Sequence, residues 1–186
     1  NQFNYLKRFC GNLKNIEQLF VNFTIPTPKS NSLLASRELC GGALMDMGSY
    51  AASIHRIFFK KKIKTKDIVI KKNKSGLVTS FDIFFKYKTK VFIGTFRFGG
   101  EYRNNILINL RNKTIEVNRL FSPPDDINLD IKLKTKNKIQ IIKIKKDNCF
   151  ENYLSEVIQK IKLNKLKYYH ANMIKDENFR LKIISN

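Results

Sequence analysis

The sequence predicts an α+β domain built on a large, mostly antiparallel open sheet with helices covering one face. Three observations predict it. Apolar residues recur at helical spacing towards both ends of the chain, a two-residue period runs from Ile63 to Lys145, and the links within that run are short. With 186 residues, 42% of them apolar and fifteen of them Phe, the chain fits one domain with a sizeable core. No internal repeat or low-complexity linker divides it.

Taken in order, residues 2–10 place Phe3, Leu6 and Cys10 at helical spacing, and Gly11 supplies a stop. Residues 16–25 read as a strand, with Leu19, Val21, Phe23 and Ile25 alternating with Gln18, Phe20, Asn22 and Thr24. Pro26 and Pro28 end it, and a polar loop over 27–37 leads into Gly41-Gly42. The next helix, from about Ala43 to Phe59, is the informative one. At about 100° per residue, Met47, Ala51, Ile54 and Phe58 fall in a stripe roughly 60° wide. Leu44 and His55 border that stripe, while Asp46, Tyr50, Ser53 and Ile57 cluster on the opposite side. The lysine run 60–62 then meets the negative end of the helix dipole.

Strands follow over 67–72, 77–87, 90–98, 104–110, 114–119, 129–134 and 139–145. The clearest is 77–87, where Phe81, Ile83, Phe85 and Tyr87 share a face opposite Ser80, Asp82 and Lys86. Tyr87-Lys88-Thr89-Lys90 and Arg111-Asn112-Lys113 have the length of antiparallel hairpin turns. The run 138–146 alternates Ile with Lys or Gln and reads as a half-exposed edge. Over 150–163, Phe150, Tyr153, Leu154, Val157, Ile158 and Ile161 mark a packing face, and a last helix spans about 172–184.

A formal net charge of +21 points towards an anionic partner such as nucleic acid. The excess is mostly lysine, accompanied by many Asn and Ile and no Trp, which is also the mark of a drifted, AT-rich coding sequence. Recognition surfaces lean towards Arg, and neither an RNP-like nor a helix-turn-helix signature is present, so a nucleic-acid module is the weaker reading. The three cysteines have no metal-ligand spacing, and a reducing cytoplasm is the simplest setting. His55 and His170 are far apart in sequence; no metal site is expected, and His55 reads as structural. No apolar run reaches the ~18 residues of a membrane span, so no membrane partner is expected.

Glycine is scarce, with eight in the chain, yet three fall within Glu38-Leu39-Cys40-Gly41-Gly42-Ala43-Leu44-Met45-Asp46-Met47-Gly48-Ser49-Tyr50. Without Cβ atoms, Gly41 and Gly42 let a backbone or a flat ligand approach closely. Asp46 and Tyr50, at i and i+4, stand one above the other on one helix face. A carboxylate and a phenol side by side can position a hydroxyl and move its proton. Two plainer readings compete. Asp46 also suits a helix N-terminus, and Tyr50 an amphipathic packing position.

The segment 41–50 resembles the signature of the glucose–fructose oxidoreductase / inositol dehydrogenase (Gfo/Idh/MocA) family, in which GGGAL-x-D-x-G-x-H/Y opens the first active-site helix of the C-terminal domain. The resemblance extends along nearly the whole chain, through Gly11-Asn12-Leu13-Lys14-Asn15-Ile16 and Gly76-Leu77-Val78-Thr79-Ser80-Phe81. Glu101-Tyr102-Arg103-Asn104-Asn105 and Arg119-Leu120-Phe121-Ser122-Pro123-Pro124-Asp125 are similar to the branch that reduces keto groups on nucleotide-linked hexoses. It implies hydride transfer between NAD or NADP and a sugar or nucleotide-sugar, with Tyr50 as acid/base beside a lysine of an E-K-P motif. Asp46 would orient the sugar hydroxyls or that lysine, and Gly41 and Gly42 would bind the cofactor; Arg97, Tyr102 and Arg103 follow a sheet strand and would either reach the sugar or its diphosphate or form an exposed strand end. It also implies a homo-oligomer joined through the exposed sheet face.

Three positions depart from that pattern. Cys40 stands where the family has the first of three glycines. Leu110 and Lys113 replace a frequent glycine pair. No GxGxxG follows a strand, and Gly99-Gly100 is too short to substitute. With the chain beginning at Asn1, the expectation is a C-terminal part of a longer enzyme, inactive by itself, whose dinucleotide-binding half lies upstream. The alternative is a non-catalytic remnant that dimerises through its sheet.

Overall fold

The fold, taken from a computed structural model that describes residues 2–11, 15–59 and 65–184, runs α1 (Gln2–Cys10), β1 (Ile16–Ile25), α2 (Ala43–Phe59), β2 (Thr65–Lys72), β3 (Val78–Tyr87), β4 (Lys90–Phe98), β5 (Arg103–Leu110), β6 (Lys113–Asn118), β7 (Leu129–Thr135), β8 (Ile139–Ile144), α3 (Cys149–Lys162) and α4 (Leu166–Ile184). The turn expected over 11–16 includes residues 12–14, and these, like the lysine run 60–62, lie outside the described residues.

The strands form one sheet in the order β2-β3-β4-β1-β5-β6-β7-β8. Every neighbouring pair is antiparallel except β1 with β4. The α+β class, the open sheet and the helices on one face are therefore as the sequence predicts. The seat of β1 is new information, because a two-residue period assigns faces and not neighbours. To admit β1 between β4 and β5, the chain must cross the end of β1 at Gly99-Gly100. There Gly99 takes φ +87 and donates its N–H to the Ile25 carbonyl at 3.0 Å, and a Cβ on Gly100 would stand 2.9 Å from Thr24 Cγ2. That glycine pair serves the crossing.

Inward residues align in rows across the strands. Ile83, Gly94, Val21, Ile106 and Val117 form one row, and Phe81, Phe96, Phe23 and Asn104 another. Phe81 stacks on Phe96 at 4.7 Å and Phe85 on Phe92 at 5.4 Å. Gly94 is the small residue that lets these rings lie down, since a Cβ there would meet Phe96 Cε2 at 2.8 Å. Helix α2 covers this face with the predicted stripe, Met47, Ala51, Ile54 and Phe58, all buried. Helix α1 lies alongside, burying Leu6 and Cys10, with Gln2 Nε2 donating to the Asn118 carbonyl at 3.2 Å.

Helix α4 packs on α2. The Arg56 guanidinium forms two bonds to Asp176, at 2.7 and 2.9 Å, and the Ser53 hydroxyl donates to the same carboxylate at 3.2 Å. The side of α2 opposite the stripe is thus divided. Ser53 and Arg56 go to α4, while Asp46 and Tyr50 do not.

The last two helices depart from expectation. Helix α4 begins at Leu166, six residues before the position read from the sequence, directly after Asn164 closes α3 in a left-handed conformation (φ 54). The expected packing face of α3 is largely exposed: Phe150, Tyr153, Leu154, Ile158 and Ile161 each show at least half their surface. The reason is its seat, for α3 packs against the start of α4. Tyr153 and Val157 face Leu166, His170 and Met173 across an open groove of about 480 Å³. On the helix-free side of the sheet, Phe84, Ile93, Phe20 and Leu107 align in one apolar row across four strands. Among the described residues, no helix is long and apolar enough to cross a membrane.

Candidate active site

The glycine pair sets the entrance of α2. A Cβ on Gly41 would stand 2.4 Å from the Leu33 carbonyl oxygen, 2.6 Å from that of Ser36 and 2.7 Å from that of Leu34. The Gly41 and Gly42 N–H groups donate to the Ser36 and Leu34 carbonyls at 2.7 and 2.9 Å. The close approach that glycine permits is taken by the preceding loop, whose residues Leu33–Ala35 make a 3₁₀ turn. Gly42, at φ +103, then passes against Val78 and hands the chain to the helix. Just before it, Cys40 holds φ 57, a conformation that costs a side-chain-bearing residue roughly 1–2 kcal/mol.

One turn into α2, Asp46 is half-buried. Burial pushes its carboxyl above its ordinary value. Its backbone N–H bonds to the Gly42 carbonyl at 3.1 Å, while its carboxylate has no hydrogen-bond or ion-pair partner among the described residues. Gly48, between Asp46 and Tyr50, lies against α4: a Cβ there would meet Arg180 Cγ at 3.0 Å. Arg180 is itself engaged with Glu177.

Tyr50 enters an aromatic triangle. Its ring meets Phe121 at 4.7 Å and the edge of Phe23 at 5.4 Å, and Phe23 meets Phe121 at 5.2 Å. The Tyr50 and Ser122 hydroxyls share a hydrogen bond of 3.1 Å. Phe121 and Ser122 belong to a loop after β6 in which two non-glycine residues, Arg119 (φ 53) and Ser122 (φ 40), are left-handed. Asn104 holds that loop. Its Oδ1 accepts the Phe121 N–H at 2.9 Å, and its Nδ2 donates to the Phe121 carbonyl at 2.7 Å and to the Tyr102 hydroxyl at 3.0 Å. Tyr102 in turn lies under the Arg119 guanidinium at 5.3 Å.

Of the residues singled out by sequence, Asp46, Tyr50, Gly41 and Gly42 therefore sit along the first two turns of α2 and its entrance, and Tyr102 joins them through Asn104. Arg97 and Arg103 do not. Both pair in register with Thr24, on the helix-free side of the sheet, whereas Tyr50 packs on Phe23, which points the other way. Arg97 pairs with Asp82 at 3.3 Å in an exposed bridge. His55 stacks on Phe179 at 4.6 Å, and burial pushes its imidazole down to about 4. Sequence reasoning gave no role to Asn104, Phe121 or Ser122. A signal existed for the first, because Asn104 interrupts the inward series Ile106, Ile108, Leu110 of β5 with a buried polar side chain. Among the described residues, no three His, Cys, Asp or Glu side chains converge as a metal site would need.

No protein-family model and no curated protein sequence matches the chain. Solved structures do. The 3-ketoreductase KijD10 from Actinomadura kijaniata, in complex with NADP and TDP-benzene, is similar over 94% of this chain and 55% of its own, at 16% identity and a TM-score of 0.81. The UDP-N-acetylglucosamine 3-dehydrogenase GnnA from Acidithiobacillus ferrooxidans is similar over 98% of this chain and 55% of its own, at 8% identity and a TM-score of 0.71. An aldose-aldose oxidoreductase from Caulobacter crescentus, complexed with glycerol, is similar over 93% of this chain and 57% of its own, at 11% identity and a TM-score of 0.70. At these identities the likeness establishes the fold. The chain spans 55–57% of the length of these structures.

Proposed function

We propose that this chain is the substrate-binding and catalytic domain of an NAD(P)-dependent oxidoreductase of the Gfo/Idh/MocA type, acting on a sugar or nucleotide-sugar. The observation that carries the reading is the state of Asp46. In a chain of net charge +21, a half-buried carboxylate one turn before Tyr50 has no partner among the described residues. Desolvating a charge without pairing it costs stability, and a site that awaits a cation or a sugar hydroxyl accounts for that cost. A first-turn carboxylate serving only the helix dipole would gain about 0.3–1 kcal/mol with its charge left in water.

In this reading Tyr50 gives its proton to the carbonyl oxygen as the carbinol forms, or takes it back in the reverse direction. Phe23 and Phe121 fix the plane of its ring, Asp46 orients the hydroxyls or the cation beside it, and Tyr102 contributes from the far side of Asn104. Arg97 and Arg103 act on the helix-free face, where the apolar row Phe84–Ile93–Phe20–Leu107 offers a surface for a second copy. A nicotinamide cofactor would supply the hydride acceptor or donor. Gly41 and Gly42 offer no open cradle for its pyrophosphate, since the carbonyls of Leu33, Leu34 and Ser36 fill that space. The pair shapes the cofactor side of the entrance only, and dinucleotide binding is assigned to residues outside this chain.

The test is turnover of reduced nicotinamide by the complete protein with keto-sugars, free and nucleotide-linked. Tyr50→Phe is expected to lower kcat by about 10²–10⁴-fold, the usual contribution of a positioned acid/base, with KM little changed. Unchanged turnover would remove Tyr50 from that role.

A further inference from the structure

Among the described residues, the Tyr50 hydroxyl makes its hydrogen bond with Ser122, and Ser122 stands in a backbone conformation that a serine does not choose by itself. What holds the loop there is Asn104. Its side chain is 4% exposed, both protons of Nδ2 are donated and Oδ1 accepts, so it binds the two backbone groups of Phe121 in opposite senses. The main chain reinforces the clamp, with the Leu120 N–H donating to the Asn104 carbonyl at 3.2 Å. A side-chain amide is the group suited to this, being planar with a donor and an acceptor side by side. The ring of the clamped Phe121 lies against Tyr50, and the next residue, Ser122, bonds the phenol. We propose that Asn104 is a positioning residue for Tyr50 that acts through the 119–122 loop, and that the Ser122 hydroxyl is the group by which it fixes the phenol's hydrogen bond. The functional meaning of this rests on Tyr50 moving a proton in the reaction; the geometry does not.

The experiment follows the protein labelled with ¹³C at tyrosine Cζ, a nucleus whose resonance reports hydrogen bonding at the phenol oxygen. The Tyr50 line is assigned by its loss in Tyr50→Phe. At fixed neutral pH, Ser122→Ala is expected to move that line by more than its width. Asn104→Ala moves it in the same direction, and the double variant moves it no further than Ser122→Ala. An unmoved line in Ser122→Ala, an unmoved line in Asn104→Ala, or shifts that simply add in the double variant would overturn the proposal. Should Asn104→Ala fail to fold, Asn104→Asp carries the test. It keeps the acceptor for the Phe121 N–H and loses both donated bonds, so a partial shift is expected and no shift overturns the proposal. Tyr102→Phe leaves both Phe121 bonds intact and should leave the line in place; a shift there as large as that of Ser122→Ala would place control at Tyr102 and overturn the assignment to Asn104. Activity does not enter this readout, so its failure and the failure of the oxidoreductase reading are told apart.

Discussion

The seat of α4 on α2 carries a pH signature. His55 on α2 stacks on Phe179 of α4 and meets Phe85 of the sheet at 5.3 Å. Burial there pushes its imidazole down to about 4, with the Asp176 carboxylate pulling the other way. In the unfolded chain the same side chain titrates near its ordinary value of about 6.5. Between these values the unfolded chain binds a proton that the folded chain refuses, so this stability is full above about pH 6.5 and is lost as pH falls towards about 4. At about 1.4 kcal/mol per pH unit, the whole gap is worth at most about 3.5 kcal/mol. Integrated from about pH 7 to about pH 5, it amounts to about 2 kcal/mol, or about 4–8 °C of Tm for a domain of this size. His55→Phe keeps an aromatic ring in the stack and removes the titration, so its Tm should fall by that much less over the same interval. Asp46 works in the opposite sense, since its raised carboxyl regains stability as it protonates, but it is present in both proteins and cancels in the difference. Thermal melts at matched ionic strength decide the matter. Parallel Tm-against-pH curves for the two proteins would refute the reasoning, and with it the covering of His55 by α4.

Two further outcomes test the frame around the site. In the Arg56–Asp176 pair the side chains are 32% and 17% exposed, so solvent screens it only in part. Asp176→Ala strands the guanidinium and frees Ser53, and is expected to cost about 1.5–3 kcal/mol, read as a lower urea midpoint with unchanged slope. An unmoved midpoint would show the pair to be worth no more than a surface bridge. Gly41→Ala drives a methyl into three backbone carbonyls that no rotamer change can move, and should cost at least about 2 kcal/mol in the same assay. A neutral result would mean that the 33–36 loop does not close on the helix entrance.

Faces were legible in the sequence and neighbours were not. The period of two gave the strands to within one or two residues, because a half-buried sheet forces alternation on every strand regardless of its partner. Nothing in Ile16–Ile25 tells that it pairs parallel with β4; that follows from the path of the chain over Gly99-Gly100. The stripe of α2 was legible because its residues meet a flat sheet. The same pattern in α3 misled, because amphipathicity records that a face is apolar and not that the domain covers it. At the site, spacing alone put Asp46 and Tyr50 together. The groups that hold Tyr50 come from β5 and the loop after β6, with Asn104 54 positions from Tyr50 in sequence and Ser122 72; no periodicity reaches across such a separation.

Left-handed backbone at residues other than glycine shows where the fold is strained. Among the described residues five occur, Cys40, Lys88, Arg119, Ser122 and Asn164. Two have ordinary reasons: Lys88 lies in the β3–β4 hairpin turn, and Asn164 follows Leu163, the C-cap of α3. The other three do not. Cys40 stands at the entrance of α2, and Arg119 and Ser122 bracket the residue clamped by Asn104 against Tyr50. Such conformations persist only where surrounding contacts over-determine them, and they gather where a side chain must be held in one place. A helix that merely covered a sheet would need neither a strained entrance nor a strained loop against its second turn. Asp46 follows the strained entrance and precedes Tyr50 on α2, and its carboxylate has no partner among the described residues. Strain at the entrance of α2 and again at the loop against Tyr50 is a cost that packing alone does not explain, and it falls where the proposed hydroxyl binding and proton transfer would need it.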